Sequence, residues 1–352
     1  MRTDEELRVA LIGFGLGGAV FHAPLVAATE GLRLKAVVTS DPARARQAVE
    51  RYPGVAVFDD AGLVWRRADE FDLVVVASPN RTHVPLARAA LRAGLHVVVD
   101  KPLAATAEGA RGLIEEAGAR GLLLTPFHNR RWDGDFLTVR RLIRGGALGR
   151  VLRFESRFER WRPTPKQGWR QSGEPSDAGG LLYDLGSHLI DQALVLFGPA
   201  RAVYAELDPF YEGAATDNDS FVALTHEGGV RSHLWMSVAA AQSGPRFRVL
   251  GSEAAYTKFG LDVQEEALKR GGRPGGERWG EDDESRWGLL GAGEDLRPVR
   301  TEPGAYQRFY EGVVAAVRGG APPPVEAADA VAALEVIEAA RLSQAEGRSV
   351  EL

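Results

Sequence analysis

The sequence predicts an α/β protein of two domains. A doubly wound parallel sheet is expected over residues 1–126, and an α+β domain with a large, mostly antiparallel open sheet over 127–352. Three observations carry that expectation. Short, continuously apolar runs alternate with helical patterns through the first third, as parallel strands joined by crossover helices do. A glycine-rich turn, Gly13-Phe14-Gly15-Leu16-Gly17-Gly18, follows the first of those runs at once. After Pro126 the texture changes to apolar–polar alternation, the pattern of strands with one face covered.

The expected parallel strands are Arg8 to Ile12, Leu34 to Val38, Leu73 to Ala77, His96 to Val99 and Leu122 to Thr125. Their unbroken apolar character suits a sheet covered on both faces. Beyond Pro126, Val151 to Arg160, Ala202 to Leu207, Ser220 to Thr225, Val230 to Ser237 and Phe247 to Leu250 read as strands without regular helices between them. Helices over Tyr306 to Val317 and Ala327 to Ala345 close the chain, separated by the breaker Gly319-Gly320-Ala321-Pro322-Pro323-Pro324. The Gly- and charge-rich segment Gly271 to Gly293 reads as a surface excursion of low local stability.

Composition narrows the function. The 352 residues exceed what one core usually organises, and 45% hydrophobic content suffices for two. A net charge of -5 supplies no global field to hold nucleic acid or an anionic membrane. With no cysteine there is no disulfide, no thiolate catalysis and no Cys-ligated metal, so any redox chemistry belongs to a cofactor. His22, His96, His226 and His233 show no carboxylate spacing that suggests a metal site, and no zinc motif is present. The N-terminus, Met1-Arg2-Thr3-Asp4-Glu5-Glu6, is acidic and runs directly into a strand, and no apolar stretch approaches a membrane span. A cytoplasmic protein with no membrane partner is the expectation.

In the glycine turn, Gly13, Gly15 and Gly18 fill the three positions of the dinucleotide fingerprint: tight turn, close backbone approach to a pyrophosphate, and helix–strand contact. The helix that follows offers unpaired N–H groups to phosphates. Cofactor choice rests on the end of the second strand, Val38-Thr39-Ser40, which lacks the carboxylate that holds ribose hydroxyls in NAD binders. Asp41 comes late and precedes Pro42, as a helix N-cap does. Ser40, Arg44 and Arg46 stand ready to pair a 2′-phosphate, so NADP is expected, with NAD as the choice if Asp41 turns to the ribose.

Lys101, in Asp100-Lys101-Pro102, sits at the carboxyl edge of the expected sheet, where doubly wound folds bind ligands. Lysine is rare here (Lys35, Lys101, Lys166, Lys258 and Lys269), although a solvated lysine before a helix has the same local pattern. In Tyr183-Asp184-Leu185-Gly186-Ser187-His188, a carboxylate and an imidazole lie one helical turn apart, an acid/base pair suited to alcohol deprotonation. Capping of a helix near Leu185 is the other use open to Asp184, and Tyr183 reads as packing.

The glycine turn, the Asp-Lys-Pro step and the Tyr183 to His188 run together resemble the family of glucose–fructose oxidoreductases, inositol dehydrogenases and rhizopine-catabolism oxidoreductases (Gfo/Idh/MocA), over essentially the whole chain. Gly13 to His22, His128-Asn129-Arg130-Arg131-Trp132 and Leu182 to His188 are most similar to its NADP-preferring scyllo-inositol dehydrogenase branch. The resemblance implies a Rossmann domain joined to a C-terminal α/β domain whose open sheet forms the contact between copies, giving a homo-dimer or homo-tetramer. It also implies hydride transfer between a nicotinamide and a secondary alcohol of a cyclic polyol or sugar. Lys101 would contact nicotinamide and substrate, His188 would be the acid/base, and Asp184 would bind or orient beside it. Pro79, Asn80 and His83 would touch the cofactor. By position, His128 and Asn129 lie just past the fifth strand, placed to face the cleft between the domains, and His128 is a further candidate cofactor contact. Asp100 departs from the Glu that usually precedes this lysine, a shorter carboxylate that can reset its position.

Other readings stay open beside these. His83 can cap or pack. Arg130 and Arg131 can tie the domains through salt bridges. Arg157, Arg160, Arg162, Lys166 and Arg170, interleaved with Trp161 and Trp169, resemble a miniature single-strand nucleic-acid groove, but an acidic chain favours a polyol-binding or interface loop. The rivals to a dehydrogenase are a non-catalytic dinucleotide sensor and an enzyme of sugar rearrangement or glycoside cleavage with tightly held cofactor.

Overall fold

The computed structural model describes residues 6–165 and 168–352. The segment that opens the chain up to Glu5, and Lys166 in the basic loop, lie outside the described residues. Two compact units emerge. The first comprises residues 1–129, 264–279 and 305–331, the second 130–263, 280–304 and 332–352.

The first unit is built on six parallel strands in the order β3-β2-β1-β4-β5-β6. They are β1 (Leu7–Ile12), β2 (Leu32–Val38), β3 (Ala56–Phe58), β4 (Leu73–Val76), β5 (His96–Asp100) and β6 (Leu124–Phe127). The crossovers carry α1 (Ala23–Ala28), α2 (Pro42–Arg51), α3 (Gly62–Arg66), α4 (His83–Arg92) and α5 (Ala107–Arg120). This is the Rossmann order, with the strand sequence reversing between β1 and β4. Leu73, Val74, Val75 and Val76 are all buried, because helices cover both faces of the sheet. The helix signals are local: Thr106 caps α5 by accepting from the Gly109 N–H, and Gly121 ends it in the left-handed region at φ +63°.

In the second unit, α6 (Gly134–Arg144) and α7 (Ser187–Phe197) accompany a nine-stranded sheet in the order β14-β13-β12-β11-β7-β10-β9-β8-β15. Its strands are β7 (Val151–Glu159), β8 (Ala200–Asp208), β9 (Asp219–His226), β10 (Arg231–Ser237), β11 (Phe247–Gly251), β12 (Ala255–Lys258), β13 (Gly288–Ala292), β14 (Asp295–Val299) and β15 (Val350–Glu351). Every described pairing is antiparallel except β10 with β7. Burial alternates along β8 and β9, so one face of the sheet is covered and the other is not. Three more helices complete the chain: α8 (Gln264–Lys269), α9 (Gln307–Val317) and α10 (Ala327–Glu346). Of these, α8 and α9 pack within the first unit.

The segment expected as a loose excursion from Gly271 to Gly293 ends in sheet. Its last part is β13, and ahead of it a buried Lys258 donates to Asp282 Oδ2 at 2.8 Å and to the Arg286 carbonyl at 2.7 Å. The cation fixes the turn that delivers β13 to β12. The sequence pattern also passes over β3, β12, β14 and β15. They are short, or, like β14 with Pro298, lie at an edge where no neighbour asks for the proline's missing N–H.

Candidate functional site

The glycine turn lies at the carboxyl end of β1. Gly13 holds φ +96°, and a Cβ there would come within 2.5 Å of the Ala77 carbonyl oxygen. A Cβ on Gly18 would strike the Gly13 carbonyl. These two glycines are therefore demanded by backbone packing. Gly15 differs: the nearest atom to its Cβ position is Arg44 Nη1 at 3.8 Å, so its flank is open to an incoming group. Residues Gly17–His22 form a π-helical segment whose N-cap, Leu16, makes no side-chain cap bond, and the Ala19 N–H donates to the Gly15 carbonyl at 2.8 Å. Phe14 is buried edge-on against Tyr52, so only its backbone faces the turn, while Leu16 is exposed.

Beside the turn, Asp41 caps α2: its carboxylate accepts from the N–H groups of Ala43 at 2.8 Å and Arg44 at 3.3 Å, and Pro42 takes the first helical position. Those two N–H groups hold the Asp41 carboxyl below its usual range. Ser40 is exposed at the strand tip. Thr39, Ser40, Asp41, Val57, Phe58 and Asp59 contribute to a cavity of about 290 Å³.

Past β4, Pro79 leads into a 3-10 turn over Asn80–Thr82, with Asn80 buried. His83 is buried, and its ring nitrogens lie 2.8 Å from the Pro102 carbonyl and 2.9 Å from the Ser78 carbonyl. The imidazole thus braces the loop after β4 against the step after β5. At that step Asp100 Oδ1 accepts from the Lys101 N–H at 2.8 Å, and the Lys101–Pro102 bond is cis. A Cβ on Gly17 would lie 2.7 Å from Asp100 Oδ2, so this carboxylate rests against the glycine turn. His128 and Asn129 are buried just beyond β6. The glycine turn, the 79–83 turn, Asp100, Lys101 and His128 therefore all sit at the carboxyl edge of one sheet.

In the second unit, Asp184 lies in a π-helical segment, Leu182–Gly186, that runs directly into α7, where His188 is the second residue. Widened turns are rare and favour functional positions, and this one keeps the two side chains on one helical face. The N-cap positions of the two segments are Leu181 and Gly186, so Asp184 lies within the helical run and not at its N-cap. His188 is buried, Asp184 half-buried, and Tyr183 packs as expected.

The supports of this pair escape the sequence pattern. Asp217 accepts from the Leu182 N–H at 2.7 Å and from Ser220 Oγ at 2.7 Å, pinning the start of the π segment. Burial pushes the Asp217 carboxyl up. Arg131 grips Asp191, one turn beyond His188, with Nε 2.9 Å from Oδ2. Gln192 donates to the Arg130 carbonyl and accepts from Arg246. The ion pairs of Arg130 with Asp133 and of Arg131 with Asp191 fall inside the second unit. Of the basic cluster, Arg157 lies in β7, over the Trp235 ring, and pairs with Glu155 and Glu159, which neutralises it. Among the described residues no group of three or more His, Asp and Glu side chains is arranged to hold a metal, and no helix is long and apolar enough to cross a membrane.

A Rossmann sheet with a glycine cradle, joined in one chain to a unit built on a large, mostly antiparallel sheet, is the architecture of a nucleotide-binding oxidoreductase class. The chain belongs to the Gfo/Idh/MocA oxidoreductase family: the profile described as NAD-binding Rossmann fold matches residues 7–128, and that of the C-terminal alpha/beta domain matches 140–352. It is 40% identical over 339 residues to the uncharacterized oxidoreductase YdgJ of Escherichia coli, covering 95% of each chain. It is 33% identical to scyllo-inositol 2-dehydrogenase (NADP(+)) IolW of Bacillus subtilis, covering 100% of this chain and 97% of that one. Among solved structures, that of YPO2259 from Yersinia pestis is similar with TM-score 0.91 and 39% identity, covering 99% of this chain and 97% of that one.

Proposed function

We propose that the protein is an NADP-dependent dehydrogenase that interconverts a secondary alcohol of a cyclic polyol or sugar, inositol-like in shape, with its ketone. In this reading residues 1–126 receive the cofactor, while 127–352 receive the substrate and form the contact between copies of a homo-oligomer. The observation that carries the chemistry is the π-to-α step that sets Asp184 and His188 on one helical face. NADP is favoured because the Asp41 carboxylate is engaged by α2 while Arg44 Nη1 lies beside the open flank of Gly15. The similarity to an NADP(+)-dependent scyllo-inositol dehydrogenase supports both parts.

The cofactor, when bound, supplies the hydride acceptor and donor. His188 takes the hydroxyl proton as the carbon-bound hydrogen leaves with its electron pair, and the carbon–oxygen bond becomes a carbonyl. Lys101 Nζ donates to that oxygen as charge develops on it. Asp184 orients the imidazole or an adjacent hydroxyl and steadies the charged form. In reduction the proton returns from His188 to the oxygen.

The test is a screen for reduced nicotinamide absorbance with both cofactors against inositols, other cyclic polyols and sugars. NADP-linked turnover is expected on a polyol. In the same assay His188→Ala should lose about 10²–10⁴-fold in turnover, the usual worth of a general acid/base, while NADPH binding persists. Unchanged turnover in that variant removes His188 from the mechanism.

A further inference from the structure

Behind the Asp100-Lys101 step lies a buried polar run that the chemistry above does not use. His22 closes the π segment of the glycine turn and is fully buried, its ring tilted against that of Phe127 with centroids 4.2 Å apart. Its Nδ1 lies 2.6 Å from the Tyr310 hydroxyl on α9. Burial holds the imidazole down at about 4, against the pull of Asp100, and the nearby His83 lowers it further. Burial likewise raises the Tyr310 phenol. At neutral pH the imidazole is therefore uncharged and the phenol keeps its proton; the Asp100 carboxylate on the Nε2 side favours the tautomer with its hydrogen on Nε2, in which Tyr310 donates to Nδ1. Nε2 lies 3.9 Å from Asp100 Oδ2 and has no hydrogen-bond partner among the described residues. That separation exceeds a hydrogen bond, but an N–H dipole facing a carboxylate is felt strongly away from water.

Asp100 in turn has two attachments. Oδ1 takes the Lys101 N–H, and Oδ2 rests against Gly17. One carboxylate thus links the turn that receives the cofactor to the main chain of the candidate catalytic lysine.

We propose that His22, held by Tyr310, is a positioning residue: its Nε2–H fixes the Asp100 carboxylate and thereby locks the glycine turn and the Lys101 step into one arrangement. The proposal rests on the cofactor reading given above for the glycine turn. It assigns His22 no contact with substrate or cofactor.

The test uses the full chain and reads NADPH affinity by nicotinamide fluorescence, not turnover. His22→Gln can place an amide N–H near the Nε2 position, whereas His22→Asn is too short to do so. His22→Asn, Tyr310→Phe and Asp100→Asn should each weaken NADPH binding about tenfold, and the double variant His22→Asn/Asp100→Asn should bind no worse than Asp100→Asn alone, since residues in one network do not add. His22→Gln should bind more tightly than His22→Asn. Tyr310→Phe removes a single oxygen and keeps the comparison valid if His22→Asn fails to fold. Effects that multiply in the double variant, or parental affinity in both His22→Asn and Tyr310→Phe, overturn the proposal. Lys101→Met, run in parallel, separates the two readings: normal turnover there sinks the proposed chemistry without touching the binding cycle.

Discussion

At the scale of single residues, the side chains around the glycine turn divide into those committed to the fold and those left for a ligand. Asp41 commits its carboxylate to the first turn of α2, and the two ring nitrogens of His83 both face carbonyl groups, to one of which the neutral ring donates. Arg44 is the cation of this edge that faces the open flank of Gly15, and its pairing with Asp41, at 3.4 Å and half exposed, is a weak tie. A guanidinium that meets a 2′-phosphate makes charge-assisted bonds of about 1.5–3 kcal/mol. Arg44→Ala should therefore weaken NADPH binding by about 10- to 100-fold, at 1.4 kcal/mol per factor of ten, while NADH affinity stays as it was. Equal losses for both cofactors, measured by fluorescence titration, would show that Arg44 supports the turn and does not read the phosphate.

At the scale of elements, the glycine turn is a cradle whose members differ in what they can tolerate. A methyl group on Gly18 meets backbone, so Gly18→Ala should lower stability by about 1–3 kcal/mol, the range for forced overpacking, and lose the cofactor with it. Gly15→Ala meets only the far end of Arg44, so it should melt with the parent and yet bind NADPH at least about tenfold more weakly, because the methyl occupies the approach of the pyrophosphate. Paired melts and titrations check this; parental affinity in Gly15→Ala would place the cofactor elsewhere. The same contrast explains what was legible in the sequence. The glycine spacing, the apolar strand runs, the Asp41-Pro42 cap and the Asp184–His188 interval are local patterns, and each lands on the element expected of it. Asp217, Arg131 and Tyr310 carry no local pattern, because their partners Leu182, Asp191 and His22 are brought to them by folding. Strands β12 to β14 were hidden for a related reason. β14 is an edge strand and needs no continuous apolar run, β12 is only four residues long, and β13 owes its course to the buried Lys258–Asp282 pair.

At the scale of the whole molecule, the histidines make stability depend on pH above the range in which carboxylates titrate. Burial lowers His22, His83, His96, His226 and His233, so the unfolded chain binds protons near pH 6.5 that the native chain refuses. For a depressed imidazole the stabilisation is complete above the unfolded value and is lost as pH falls toward the folded one. For fully buried His22, with 6.5 falling to about 4, the loss between pH 7 and pH 5 is about 2 kcal/mol. Asp72 and Glu116, held low by arginines, act in the same sense but only as pH falls below the ordinary carboxylate range. Asp217 opposes them, since a buried carboxyl that is pushed up favours the native state as acid is added, and its effect begins on the alkaline side of 3.8. The lowered histidines, His22 among them, therefore shape the upper part of the acid limb. Urea melts at intervals from pH 7.5 to pH 5 should show the midpoint falling steadily as protons are added, in a range where ordinary carboxylates remain charged. His22→Gln, which removes the titrating ring, should flatten that slope by about 2 kcal/mol across the interval. A variant slope equal to the parent's would mean that His22 is already protonated, or accessible, in the native protein at pH 5, and the neutral ring that aims its N–H at Asp100 would go with it.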